Sequence, residues 1–376
     1  MLQLFDTLKN TIRPFEPIDK KQVTMYVCGP TVYDHIHLGN ARPVIFFDML
    51  KRYLEFSGHQ VLYVSNITDV DDKIIEKAIK TNQNEQDITK EYTDHFIQMT
   101  KALGSELPDE MPRATEYITQ MISYIGKLIK TGNAYVKPNG VYFRVNKIKD
   151  YGVLSKQNLE DLSKGVRIQL EDEKEDPKDF TIWKITDQGM KFDSPWGTGR
   201  PGWHTECAVM NHEIFNHEID IHGGGSDLKF PHHENEIAQS LAVNHHHLAR
   251  FWMHVGRLDI QNEKMSKSLG NFHLVKDLIQ TFNPNAFRLL MVSHHYRQKI
   301  NYHDDLMVYY QKEYEKIQRA LKKSLLKINL ERQIQSDEHD TYIAQFKKFM
   351  DDDLNTPNVL TLIQEMVKQL NKEKDI

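Results

Sequence analysis

The run KQVTMYVCGPTV at residues 21–32 decides how the rest of the chain is read. Apolar and β-branched residues continue to Val27 and stop at Gly29-Pro30, the pattern of a buried strand that ends in a turn. HLGNARPVIFFDMLKRYLEFSG (37–58) follows with helical spacing and closes on Gly58. HQVLYVSNITDVDD (59–72) then reads as a second strand and DKIIEKAIKTN (72–82) as a second helix. Strand–helix–strand–helix order predicts a parallel α/β sheet. Ligands of such sheets collect at the carboxyl ends of the strands, where Cys28 and Thr68 both fall.

Outward from this unit, residues 87–134 read as two amphipathic helices, and NGVYFRV (139–145) opens a strand-rich section. EDEKEDPKD (171–179) reads as a solvated loop without a site. Residues 115–195 are therefore expected to be a connective insertion between two sheet halves, 1–114 and 196–250. The second half resumes at RPGWHTECAVM (200–210), with both cysteines expected beside turns at strand ends. It continues through EIDIHGGG (218–225), a strand ending in glycines. FWMHVGRLDI (251–260) reads as a further strand leading into the polar loop QNEKMSKSLGNF (261–272), within a region spanning 251–305. Residues 306–376 turn to long helices, of which YYQKEYEKIQRALKKSLLKI (309–328) is the clearest. The fold expected is a Rossmann-type parallel sheet with an inserted domain, followed by a C-terminal helical bundle.

A chain of 376 residues, 39% hydrophobic and 27% charged, has the balance of an ordinary globular protein. No stretch approaches the roughly 18 consecutive apolar residues of a membrane span. MLQLFDTLKNTIRPFEP (1–17) has neither a basic head nor an apolar run, so no signal peptide is read and a cytoplasmic location is expected. A net charge of −5 leaves a nucleic-acid partner open, because a local basic surface is what matters. The two cysteines, Cys28 and Cys207, are far apart, and a cytosolic setting disfavours a disulfide between them. They read either as two structural thiols or as a pair of thiolates at a metal.

The second of those readings gains from DIHGGGSDLKFPHHENEIAQ (220–239). On a helix starting near Pro231, His232 and Glu236 are four apart and share a face. An imidazole and a carboxylate pointing the same way are half of a zinc site, which needs about four ligands. His233 and Glu234 are rival ligands that fall on other faces. NHHHL (244–248) has no cysteine or acid beside it and reads as a loop.

Two further stretches carry phosphate chemistry. HLGN (37–40) opens a helix, whose unpaired amides and positive dipole end favour phosphate. Gly39 leaves room for a nucleotide to lie close, although a surface histidine and a packing glycine would give the same four letters. KMSKS (264–268) puts two lysines and two serines in a loop suited to a polyphosphate, or to a solvated basic turn.

HLGN followed by KMSKS resembles the paired signatures of class I aminoacyl-tRNA synthetases. MYVCGPTVYD, NITDVDDKII, GRPGWHTEC, DIHGGGSDLKFPHHENEIAQ, EKMSKSLGNF and MDDDLNTP narrow the likeness to the cysteinyl-tRNA synthetases, over about residues 20–360. The resemblance implies ATP, L-cysteine and tRNA-Cys as partners, magnesium accompanying ATP, and one zinc ion held by Cys28, Cys207, His232 and Glu236. It implies that His37, Asn40, Lys264 and Lys267 stabilise phosphoryl charge, with Gly39 against the nucleotide. Zinc would select cysteine over serine, because a thiol binds it as thiolate and a hydroxyl gains little. Thr68 is a candidate for the ammonium or carboxylate of the amino acid, Trp203 for a wall of the thiol pocket, and His222 for substrate or adenosine. Asp227 is a candidate for the amino group or for a cap of the helix at 231–242.

Two departures from the family pattern stand out. Asn40 occupies the position where the class signature has histidine, which shifts phosphate stabilisation towards His37, Lys264 and Lys267. The family's small anticodon-recognising domain is not seen after the helices. Arg319, Lys322, Lys323 and Lys327 could meet tRNA phosphates or simply line a solvated face. A monomer is expected. Rival readings are a cysteine ligase acting on an amino sugar, as in mycothiol synthesis, and a catalytically inactive paralogue.

Overall fold

In the computed structural model, which describes residues 1–157, 174–260, 263–264, 273–325 and 337–372, a hairpin of β1 (Gln3–Asp6) and β2 (Thr11–Pro14) precedes β3 (Gln22–Val27). The helix α1 (Leu38–Phe56) leads to β4 (Gln60–Ser65), followed by α2 (Asp72–Thr81) and α3 (Glu85–Ala102). Next come α4 (Ile118–Lys130) and an antiparallel sheet of β5 (Ala134–Lys137), β6 (Gly140–Phe143), β7 (Phe180–Ile185) and β8 (Gly199–Pro201). The chain returns through α5 (Trp203–Phe215), β9 (Ile219–Gly225), α6 (Glu234–Asn244) and β10 (Ala249–Val255). A small sheet of β11 (Leu258–Ile260), β12 (Glu263–Lys264) and β13 (Ile300–Tyr302) encloses α7 (Val275–Thr281) and α8 (Pro284–Val292) in sequence. Three helices, α9 (Asp304–Leu325), α10 (Asp337–Met350) and α11 (Thr356–Lys372), end the described chain.

The central sheet has the order β10–β9–β3–β4, with every pair parallel. Chain order runs outward from β3 on one side and from β9 on the other. The switch point therefore lies between β3 and β9, where an open α/β sheet forms its ligand crevice. Register aligns Tyr26 with His222 and His222 with Trp252, so these three rings share one face of the sheet. That face packs on Cys207 and Met210 of α5 and Ile237 of α6. On the opposite face α1 comes so close that a Cβ at Gly223 would lie 2.2 Å from the Phe47 ring. Only glycine allows that approach.

The antiparallel sheet and α4 form their own core around Trp183, Phe143 and Ile182, which also takes in Val209 of α5 and Ala238 of α6. The inserted segment thus braces the two helices that carry the predicted ligands. Lys184 of β7 and Arg200 of β8 further pin it to Asp72 at the start of α2.

Three sequence expectations are corrected here. Cys207 lies in the second turn of α5, not beside a strand-end turn. Residues 251–260 do not form one strand: β10 belongs to the central sheet and runs to Val255, past the boundary expected at residue 250, while β11 belongs to the small sheet. The helix expected from Pro231 begins at Glu234, after an irregular turn at Lys229–His233. Among the described residues, no helix is long and apolar enough to cross a membrane.

A buried carboxylate joins the C-terminal helices to the rest. Asp353, in the turn between α10 and α11, accepts from the Phe5 amide at 2.8 Å, the Tyr296 hydroxyl at 2.8 Å and Arg297 Nε at 2.9 Å. Its backbone carbonyl lies 2.9 Å from His295 Nε2. The buried guanidinium of Arg42, on α1, donates to the carbonyls of Gly256, Gln298 and His295.

Candidate active site and metal centre

At the switch point Cys28 follows directly on β3, and its amide donates to the Gly223 carbonyl of β9 at 3.0 Å. Its sulfur lies 3.7 Å from Cys207 Sγ and 3.3 Å from Glu236 Oε1. Glu236 Oε1 is in turn 3.0 Å from His232 Nε2. The irregular turn before α6 leaves His232 and Glu236 four apart on one face, as their spacing predicts. The ligand atoms of all four residues lie within 4.8 Å of one another. Zinc–ligand bonds of about 2.0–2.3 Å in a tetrahedron put neighbouring donors roughly 3.3–3.8 Å apart, and these separations approach that range. A disulfide would need about 2.05 Å between the sulfurs, so the thiols are free.

The electrostatics of the cluster suit a cation. Burial pushes the Cys28 thiol well above its usual range. Cys207 is held down to about 6, first by its hydrogen bond with Cys28. Burial works against charge on His232, yet the Glu236 carboxylate and then Cys207 push it up to about 10. Glu236 stays well below the usual carboxylate range despite its burial, because His222 and His232 flank it. Two thiols, an imidazole and a carboxylate form a borderline-soft donor set that fits zinc.

The surrounding residues orient the donors. His232 Nδ1 lies 3.0 Å from His204 Nδ1. Burial, aided by His232, holds His204 at about 3, so His204 is a neutral acceptor for the outer N–H of His232. Trp203 stacks on His232 with centroids 4.1 Å apart. Thr205 Oγ1 donates to Gln239 Oε1 at 2.9 Å, tying α5 to α6.

The rivals His233 and Glu234 have other partners. Glu234 accepts from the amides of Gly152 and Ser155 at 2.9 and 2.8 Å. His233 Nδ1 lies 2.8 Å from His254 Nε2, although His233 also joins Cys28, His222 and Glu236 in a second group of compatible donors. Cys28 and Glu236 belong to both groups. His222 Nε2 sits 3.5 Å from Cys28 Sγ and 3.1 Å from Glu236 Oε2.

A cleft of about 330 Å³ opens from this cluster along the carboxyl edge of the sheet. Cys28, Trp203 and Asp227 line it together with His37, Gly39 and Asn40 from the start of α1. Thr68 and His222 lie behind it, both buried. Asp227 sits in a short turn at Ser226–Leu228, and α6 begins without a side-chain cap, so Asp227 does not cap that helix.

His37 is the N-cap of α1. Its Nδ1 accepts from the Asn40 amide at 3.2 Å, and Asn40 Oδ1 accepts from the His37 amide at 3.4 Å, a reciprocal capping box. With Nδ1 accepting, the neutral ring carries its proton on Nε2. Gly39 sits close under the His37 ring, which a Cβ there would meet at 2.9 Å. The backbone of Lys264 ends β12, and Lys267 lies outside the described residues. Arg319, Lys322 and Lys323 fall on α9, while Lys327 is outside the described residues.

Sequence reasoning missed Asn66, His204, Glu206 and the His233–His254 pair. Asn66 and Glu206 stand in the quoted motifs within two residues of Thr68 and Cys207, a proximity that could have drawn notice. His254 carried no local signal.

A crevice at the sheet's switch point, with a histidine-capped helix on its wall, is the architecture of the class I tRNA synthetases. The family model for the class I (C) catalytic domain matches residues 14–312, and that for the DALR domain matches residues 345–376. A methionyl-tRNA synthetase of Mycobacterium tuberculosis bound to methionyl-adenylate shares the fold, with a TM-score of 0.70 at 15% identity over 94% of this chain and 83% of its own. The cysteine–tRNA ligase of Acholeplasma laidlawii is 55% identical over 99% of this chain and 86% of its own length. That of Onion yellows phytoplasma is 50% identical over 99% and 85%, and that of Staphylococcus carnosus 46% over 99% and 81%. Within the class I tRNA synthetases, the chain belongs to the cysteine–tRNA ligase family.

Proposed function

We propose that this enzyme activates L-cysteine with ATP and transfers the cysteinyl group to the 3′-terminal ribose of tRNA-Cys. The observation that carries the reading is the position of Cys28, shared between the four-donor cluster and the cleft that the HLGN turn also lines. One substrate would meet the donors and the other the helix end, in one continuous space.

In the first step the carboxylate of cysteine attacks the α-phosphorus of ATP, and pyrophosphate leaves. The N-terminus of α1 faces the developing negative charge. The Nε2–H of His37 donates to a phosphoryl oxygen without needing a positive ring. The Asn40 amide holds that ring by donating to Nδ1, and the Asn40 side chain fixes the turn by accepting the His37 amide. Lys264 and Lys267 are assigned the neutralisation of the phosphates, with magnesium alongside ATP. Asp227 takes the ammonium of the amino acid, and Trp203 walls its side chain. Cys28, Cys207, His232 and Glu236 would hold zinc, which binds a thiolate far better than an alcohol. The basic residues of α9 meet the tRNA backbone. A tRNA partner places the enzyme in the cytoplasm, where we take it to act as a monomer.

The test is charging of a tRNA-Cys transcript with labelled cysteine and with labelled serine. Charging with cysteine alone is expected. Cysteine-dependent ATP–pyrophosphate exchange without charging would favour the amino-sugar ligase, and neither reaction in folded protein would favour an inactive paralogue.

A further inference from the structure

We propose that Asn66, Thr68 and Glu206 form a side-chain strap that sets the distance between Cys28 and Cys207, and so positions the metal donors from behind. The proposal rests on the zinc reading above.

The two cysteines come from elements with no direct backbone connection, the end of β3 and the second turn of α5. What joins them is a set of buried hydrogen bonds centred on Asn66, whose Oδ1 also lies 3.6 Å from Cys207 Sγ. The Gly29 amide, next to Cys28, donates to Asn66 Oδ1 at 2.9 Å. Asn66 Nδ2 donates to Thr68 Oγ1 at 3.2 Å, and Thr68 Oγ1 donates to Glu206 Oε2 at 2.9 Å. Glu206 immediately precedes Cys207. The Thr68 amide also donates to the Pro30 carbonyl at 3.1 Å, so the strap is fixed to the same turn through backbone and side chain. A Cβ at Gly29 would fall 1.7 Å from the Asn66 carbonyl oxygen, so the Cys28 turn is pressed against the strap with no slack.

Each member is nearly sealed from solvent: Asn66, Thr68 and Glu206 are all 1% exposed. The hydroxyl of Thr68 is used as both acceptor and donor within the strap. Three polar side chains linked in one direction inside a core are costly unless each bond is made. Their geometry fixes the ends of the chain, and the ends are the two cysteine-bearing segments. Outer partners of this kind commonly govern metal affinity by about ten- to a hundredfold.

Thr68→Val keeps the shape of the side chain and removes both bonds, whereas Thr68→Ser keeps them. The full-length protein is stripped of metal and titrated with zinc against a chromophoric chelator, and with cobalt, whose visible bands report donor geometry. For Thr68→Val, zinc should bind about ten- to a hundredfold more weakly and the cobalt bands should shift, with Thr68→Ser restoring both. Unchanged zinc affinity and unchanged cobalt bands in folded Thr68→Val would overturn the strap. If Thr68→Val does not fold, Glu206→Met, which keeps length and removes the acceptor, is read by the same two criteria. Absence of zinc and cobalt binding in the unmodified protein would instead sink the metal reading itself.

Discussion

Leu274 forms an antiparallel bridge with His37. On either side of it the Leu38 amide donates to the His273 carbonyl at 3.0 Å, and the Val275 amide donates to the Ile36 carbonyl at 3.1 Å. The backbone that follows the second signature is therefore bonded directly to the turn that opens the first. These two bonds bracket the imidazole assigned to the phosphate, and they hold it where a capping box alone would leave the turn free to pivot.

Val275→Pro tests that bracket cleanly. Val275 is the first residue of α7, a position proline favours, and Leu274 before it has φ −92° and ψ 145°, which proline tolerates in its predecessor. The substitution removes one amide donor and some packing, and Val275→Ala removes packing alone. A lost hydrogen bond of about 1 kcal/mol predicts that kcat/KM for ATP in pyrophosphate exchange falls about fivefold below the alanine variant. Equal values would mean that the bracket does not position His37.

The two donor groups predict different metal contents. His232→Gln should lose zinc, measured by atomic absorption, together with cysteine-dependent exchange. His233→Gln should retain zinc, because His233 is engaged with His254 at 2.8 Å. The reverse result would assign the ion to the group containing His222 and His233. Stripping the unmodified enzyme with a chelator should reproduce the His232→Gln loss, and zinc should restore it.

Gly39→Ala separates stability from activity. Alanine favours a helix over glycine by up to about 1 kcal/mol, so the melting temperature should hold or rise slightly. The added Cβ would displace the His37 ring, which lies 2.9 Å from its position. Exchange activity is expected to fall at least tenfold, close to the roughly 1.4 kcal/mol of one such step. An active, stabilised variant would count against His37.

Acid should loosen the seam between the inserted segment and the central domain. Burial opposes ionisation of Asp72, but its hydrogen bonds with Lys184 and Arg200 lower its pKa below the ordinary aspartate value. The carboxylate therefore stabilises the fold fully above the unfolded pKa, near 4 in ordinary aspartate, and that contribution is lost as pH falls through the lower folded value. Urea midpoints of the unmodified protein and Asp72→Asn should differ at pH 7 and converge towards about pH 3. A gap that persists in acid would remove the charge from the explanation.

How much of this was legible follows from distance along the chain. Cys28 at the end of β3 was readable because strand and turn are both local, and the pairing of His232 with Glu236 survived because helical spacing is local too. The segment holding Cys207 misled because apolar residues surround it: Cys207, Ala208, Val209 and Met210 are all buried, so α5 lacks the polar stripe that marks a surface helix. Thr68 drew notice because it follows a strand, but its hydrogen-bond partner Glu206 is 138 residues away, and no spacing rule reaches that far. The capping role of Asn40 was hidden by the class signature, which invites comparison with histidine and distracts from the ordinary preference of asparagine for a helix start.

Asp353 holds Arg297, Tyr296 and the backbone carbonyl that faces His295, and the His295 carbonyl in turn receives Arg42, five residues along α1 from His37. Asp353, Tyr296 and Arg42 are buried and His295 is partly buried, and each joins its neighbour by a charged or polar contact. The terminal helices and the second turn of α1 are consequently linked by one continuous set of polar contacts. Any tilt of α10 and α11 would have to break those contacts or carry them along.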